Sequence, residues 1–128
     1  MAVLLNNNFE HEVLDIKKDN NGNFLQLLLQ CGTTTINLVN IYAPNTDDPT
    51  FFEKVKEFSN NISAEYNLIC GDFNLVMEPK IDCMNYSRIN NPKARDKALQ
   101  IIEDMNLVDA FRLLNPTIKR YTWRKKPR

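Results

Sequence analysis

The segment from Thr34 to Tyr42 constrains the fold more than any other part of this 128-residue chain. Ile36, Leu38 and Tyr42 alternate with Val39 and Ile41, so apolar residues point to both sides of an extended run whose successive side chains face opposite ways. A strand of that kind needs cover on both faces, and it stops at Ala43-Pro44-Asn45, where proline withdraws a backbone donor. A layered α/β architecture satisfies both demands and a helical bundle satisfies neither.

The flanking sequence supplies the other layers. Residues 12–17 and 24–29 read as strands on either side of Asp19-Asn20-Asn21-Gly22-Asn23, whose Asn-Gly step tolerates the positive φ of a tight reversal. Asp48 is a helix N-cap with Pro49 at the first helical position, and Phe51, Val55, Phe58 and Ile62 follow at helical spacing. Leu68-Ile69-Cys70 is a short buried strand that ends at Gly71 and opens into Asp72-Phe73-Asn74. Residues 79–91 read as a surface loop. A second helix follows, capped by Asn91 and opened by Pro92, with Ala94, Ala98, Ile101, Ile102 and Met105 as its apolar stripe. Residues 107–114 continue as a shorter helical piece, and 121–123 read as a last strand. Residues 2–5 form an apolar, strand-like run directly after the first methionine, which looks like a cut through a larger domain.

Charge and cysteine content narrow the function classes. Sixteen basic and sixteen acidic residues cancel, but six basic residues and no acid lie in 119–128, which leaves the first 118 residues at −6. Cys31, Cys70 and Cys83 match no zinc, haem or CxxC spacing, and an odd, sparse count suits a reducing compartment. No run approaches the length of a membrane span and no signal peptide opens the chain, so the expectation is an intracellular protein, nuclear or cytoplasmic, that is neither secreted nor held in a membrane.

Asp-x-Asn occurs three times. Asp19-Asn21 lies in the hairpin turn and Asp104-Asn106 at a helix end, where such residues have local structural work. Only Asp72-Asn74 follows a buried strand, so a carboxylate that can orient a water and an amide that can donate to a phosphate oxygen emerge together beside Gly71, where a ligand can approach the backbone. Tyr42, at a strand end, offers a phenol to an anion while its ring packs. Each of the three also has a plain reading, as turn formers or a strand-end aromatic.

Asn40-Ile41-Tyr42-Ala43-Pro44-Asn45, Leu68 through Asn74, Asp109-Ala110-Phe111-Arg112 and Tyr121-Thr122-Trp123, in that order, resemble the endonuclease/exonuclease/phosphatase superfamily of deoxyribonuclease I. They are most similar to the endonuclease domain of long interspersed element (non-LTR) retrotransposons. The resemblance implies an α/β fold, here the central portion (1–128) of one domain built as a four-layer αββα sandwich with mostly antiparallel strands, and metal-dependent cleavage of DNA. By analogy Tyr42 contacts the scissile phosphate, Asp72 orients the attacking water or protonates the leaving oxygen and touches the metal, and Asn74 stabilises the transition state. The implied cofactor is Mg²⁺; the implied partners are DNA, the rest of the parent domain and a linked reverse transcriptase.

The departures limit what the chain does alone. Family members carry a metal-binding Glu upstream of residues 2–5 and a Ser-Asp-His block downstream of the YTW strand, and this sequence has neither; His11 does not align with the latter. Thr122, Trp123, Arg124, Lys125 and Lys126 are either part of a DNA-facing hairpin, with stacking and phosphate contacts, or a solvated chain end. The expectation is a piece of a phosphodiesterase that nicks DNA in retrotransposition and is inactive in isolation. The alternative is a non-catalytic nucleic-acid-binding or non-functional gene fragment.

Overall fold

A computed structural model describes residues 1–84 and 89–122 of the chain. The hairpin forms where Asp19 Oδ1 accepts the backbone N–H groups of Asn23 and Phe24, at 2.8 and 3.0 Å, and Gly22 takes a φ of 74°. It joins β1 (Glu12–Lys18) to β2 (Phe24–Cys31), and β3 (Thr34–Tyr42) pairs with the far side of β2. Helix α1 (Pro49–Asn60) then carries the chain over one face of the sheet to β4 (Tyr66–Asp72), which lies parallel to β3. Parallel neighbours need such a crossover, so the long connection and the parallel pairing imply each other.

The result is a mixed α/β fold whose sheet has the order β1-β2-β3-β4, two antiparallel pairings and one parallel. Among the described residues there is this one sheet, without the second that a four-layer sandwich requires. Helix α3 (Pro92–Asp104) packs along α1, and the short α2 (Pro79–Asp82) and α4 (Ala110–Leu114) lie at the periphery. The core sits between sheet and helices, where Phe24, Val39 and Ile41 meet Phe51, Phe52 and Val55 of α1 and Ala94, Ala98 and Ile101 of α3. No helix among the described residues is long and apolar enough to cross a membrane.

Two buried amides sit in that otherwise apolar layer. Gln26 Nε2 donates to the carbonyl of Phe58 and to Asn37 Oδ1, both at 2.9 Å, and Asn37 Nδ2 donates to the carbonyl of Ser59 at 2.8 Å and to Asn67 Oδ1 at 2.9 Å. The last carbonyls of a helix have no partner within it. Here the sheet supplies the donors, so β2 and β3 cap the C-terminal turn of α1 from the side. Ser59 is buried as well and returns its hydroxyl to the carbonyl of Val55 at 2.8 Å.

Asp48 caps α1 as its place before Pro49 requires, accepting from the backbone N–H and hydroxyl of Thr50 at 3.0 and 2.6 Å. The Thr50 hydroxyl holds the Asp48 carboxyl below its ordinary value of 3.8, outweighing a slight desolvation that acts the other way. The folded chain therefore binds this proton more weakly than the unfolded one, and the cap contributes fully above pH 3.8 and less as pH falls through the depressed value. Asp48→Ala should lower Tm near neutrality, and the gap from the native chain should close in melts run below pH 3.8.

Several sequence expectations need correction. Residues 2–5 form no strand; the carbonyl of Ala2 accepts from Asn40 Nδ2 at 3.3 Å, a side-chain contact that makes no ladder. Ile62 falls beyond α1, which ends at Asn60 and buries Phe52 and Ser59 beside Phe51 and Val55. Asn91 precedes α3 in a left-handed conformation and makes no side-chain cap. The cap comes from Asp47, whose Oδ1 accepts the N–H of Ala94 at 2.8 Å. The 79–91 segment contains α2, in which Asp82 Oδ2 takes the N–H of Glu78 at 2.7 Å. Tyr121 and Thr122 are not in a strand, and Trp123 lies outside the described residues.

Candidate functional site

The parallel pairing of β3 with β4 builds the site. Its register runs from Ile36 beside Tyr66 to Tyr42 beside Asp72, so the final residues of both strands are neighbours. Asn37, Val39 and Ile41 are buried on the helix side, so Tyr42 and Asp72 face the opposite side, where Tyr42 is 56% exposed. Thirty positions apart in sequence, a phenol and a carboxylate thus stand side by side at the C-terminal edge of two strands.

The loop after Asp72 is held by its own polar groups. Asp72 Oδ1 accepts the backbone N–H of Asn74 at 2.9 Å, a side-chain-closed turn, and Asn74 takes a φ of 49°. Asn74 Nδ2 donates to the carbonyl of Ala43 at 2.6 Å, and the N–H of Ala43 donates to the carbonyl of Asp72 at 2.8 Å. The turn after β3 and the loop after β4 are therefore locked together. Asn74 commits one amide hydrogen to that lock and keeps a second for another acceptor.

Gly71 has a different reason from the one the sequence suggested. Its φ is +123°, and a Cβ there would lie 2.0 Å from the carbonyl oxygen of Ile41 and 2.8 Å from Asn40 Oδ1. The backbone of β3 makes the close approach. Cys70, one step earlier and beside Asn40, is half-buried, and that burial pushes its thiol pKa up, so it stays protonated and neutral near pH 7.

Two supports escaped the sequence reading. Arg95 on α3 donates from Nε to the carbonyls of Val76 and Met77, at 3.1 and 3.0 Å, and so clamps the chain as it leaves the Asn74 loop. Arg112 pairs with Asp82, donates to the carbonyl of Ile118 at 2.7 Å, and lies 5.2 Å from the centre of the Phe111 ring. Asp109 caps α4 by accepting from the N–H of Arg112 at 3.0 Å. The Asp109-to-Arg112 block, one of the four stretches that carried the resemblance, is thus a structural knot away from Tyr42 in sequence.

Among the described residues no three His, Cys, Asp or Glu side chains come together as a group able to hold a metal ion. The Asp72 carboxylate by itself does not make a Mg²⁺ site, because a hard cation of that size asks for an octahedron of oxygens. Thr122 is exposed, and Trp123, Arg124, Lys125 and Lys126 lie outside the described residues.

No protein-family model matches the chain. A curated protein of Xenopus laevis, the transposon TX1 uncharacterized 149 kDa protein, is 29% identical over 130 residues. The chain is similar to a transposon protein. The alignment takes in 96% of this chain and 9% of that protein, so the chain spans about a tenth of the relative's length.

Proposed function

We propose that this chain carries the phosphate-contacting corner of a retrotransposon endonuclease and is catalytically incomplete by itself. The observation that carries the reading is the β3–β4 register, which sets Tyr42 beside Asp72 on one face, with Asn74 in the turn that the Asp72 carboxylate closes. The similarity to a transposon protein supports the retrotransposon part. In this reading the Tyr42 phenol donates to a non-bridging oxygen of a DNA phosphodiester. The Asp72 carboxylate orients the attacking water or returns a proton to the leaving oxygen, and the second Asn74 amide hydrogen meets charge that develops on the phosphoryl oxygens.

The donor set supports the incompleteness. Hydrolysis of a phosphodiester needs its developing charge offset, and the described residues assemble no group of ligands to hold a cation for that purpose. Residues that act as a unit lose most of their effect together, so one corner of such a site turns over little. DNA is the proposed partner, with a linked reverse transcriptase as the enzyme that would use the nick.

The test is conversion of supercoiled plasmid to open circles in Mg²⁺ by the 128-residue chain, with Asp72→Ala run beside it. The expected result is no nicking by either, together with retardation of duplex DNA at low salt that fades as salt rises. Nicking by the native chain that Asp72→Ala lowers by about a hundredfold or more would make the chain a complete nuclease. Absence of DNA binding even at low salt would remove the nucleic-acid reading.

A further inference from the structure

Strands β1, β3 and β4 run in the same direction, because β1 and β3 are each antiparallel to β2 and β4 is parallel to β3. Their C-terminal ends lie along one end of the sheet, and their last residues are Lys18, Tyr42 and Asp72. In open α/β sheets, ligands bind outside the carboxyl ends of the strands.

The register puts these three residues on one face as well. Lys18 opposes Leu25, and Leu25 opposes Asn40, two residues before Tyr42 on β3. Directly opposed residues point to the same side of a sheet, and so do residues two apart along a strand. Phe24 and Ile41, the adjoining pair, belong to the core under α1, so Lys18, Asn40, Tyr42 and Asp72 face the other way. The rest of that face is largely apolar, with Val13, Ile16, Leu27, Leu29, Leu38 and Leu68 in its cross-strand rows. Among the strand residues on it Lys18 is the one cation and Asp72 the one carboxylate, and both stand at the same end.

The hairpin turn ties Lys18 to the site. The N–H of Asp19 donates to the carbonyl of Phe24 at 3.3 Å, and the N–H of Tyr42 donates to the carbonyl of Asn23 at 3.0 Å, so the turn that follows Lys18 is bonded to the backbone of Tyr42 itself. Lys17 pairs with Asp15 at 3.7 Å, whereas Lys18 is exposed and makes no ion pair with a described residue.

We propose that Lys18 is a further phosphate-contacting residue of the Tyr42–Asp72 site, whose ammonium neutralises the backbone of a DNA strand laid along this end of the sheet; this rests on the endonuclease reading above. The Asp72 carboxylate repels a polyanion and the Tyr42 phenol offers it a neutral donor, so the attraction that holds the strand over both comes from Lys18. β1 and β3 lie two ladder steps, about 10 Å, apart. Lysine suits such a place as a point charge on a flexible stem, able to follow a phosphate without a fixed geometry. A lysine on an edge strand also keeps other strands from pairing there, and that use alone predicts no effect on DNA.

Anisotropy of a fluorescein-labelled duplex, titrated with the full 128-residue chain over a series of salt concentrations without Mg²⁺, tests the assignment. Losing one phosphate contact lowers the slope of log K against log salt by about 0.9. Lys18→Gln should show that loss, and Lys18→Arg should keep the native slope. Lys17→Gln removes the same unit of charge from the opposite face and should leave the slope as it is. An unaltered slope in Lys18→Gln, an equal loss in Lys17→Gln, or a Lys18→Arg chain that behaves like Lys18→Gln overturns the role of Lys18 and leaves the endonuclease reading standing. A native chain that binds no DNA even at low salt overturns both.

Discussion

Gly71→Ala should destabilise the fold by about 4 kcal/mol or more, a magnitude that single substitutions reach only through strain or severe core damage. The methyl group would sit 2.0 Å from the carbonyl oxygen of Ile41, inside the parallel ladder, and neither backbone can retreat without breaking the β3–β4 pairing. The φ of +123° adds its own cost for any residue with a Cβ. Gly22→Ala separates the two effects: it also has a positive φ, but nothing lies within 4 Å of the added carbon. Urea unfolding should show a loss of roughly 1 kcal/mol at Gly22 and several times more at Gly71. Equal losses at both positions would mean that the strands part easily, and that the side-by-side placement of Tyr42 and Asp72 is not rigid.

Phe52→Ala should cost about 3–5 kcal/mol, the range for emptying a buried aromatic site. Phe52 is among the most buried side chains, meets Phe51 edge-on at 5.3 Å between ring centres, and stacks on Phe73 at 6.2 Å. Phe73 stands between Asp72 and Asn74, so this ring is one link by which the core holds the loop. Thermal melts should show Tm falling by more than about 10 °C. Amide exchange adds a sharper readout: the N–H of Asn74 should lose protection more than that of Val39, which is deep in the sheet. Uniform loss across both would make Phe52 a general core residue with no particular hold on the loop.

Which features were legible in the sequence follows from the range over which each is determined. β3 runs from Thr34 to Tyr42 as read, because its composition and the proline after Ala43 are local facts. The Asp48-Pro49 start of α1 is equally local. Asn91 carries the same kind of signal and fails, because Asp47, far away in sequence, reaches Ala94 first. Residues 2–5 fail for a related reason: β-propensity makes a strand only where a neighbouring ladder accepts it. Glu78-Pro79 before Asp82 was a readable start for α2, passed over because the surrounding segment is polar and unpatterned. At the site, Tyr42, Asp72 and Asn74 could be named one by one, and only the parallel register says that the first two are neighbours. The lock from Asn74 to Ala43 and the clamp from Arg95 are tertiary, and no spacing encodes them.

The loop between β3 and α1 ends in two adjacent aspartates that begin two different helices, Asp48 for α1 and Asp47 for α3. Consecutive Cα atoms are about 3.8 Å apart, so a single peptide unit sets the distance between two helix origins. That loop also follows directly from Tyr42 and is gripped at Ala43 by Asn74. Its length is therefore not free to drift. One residue gained or lost between Tyr42 and Asp48 would pull a carboxylate off one helix or the other, whereas the turn at Gly32 joins two strands and nothing else. Among related sequences, this short stretch is where length should stay fixed while its letters change.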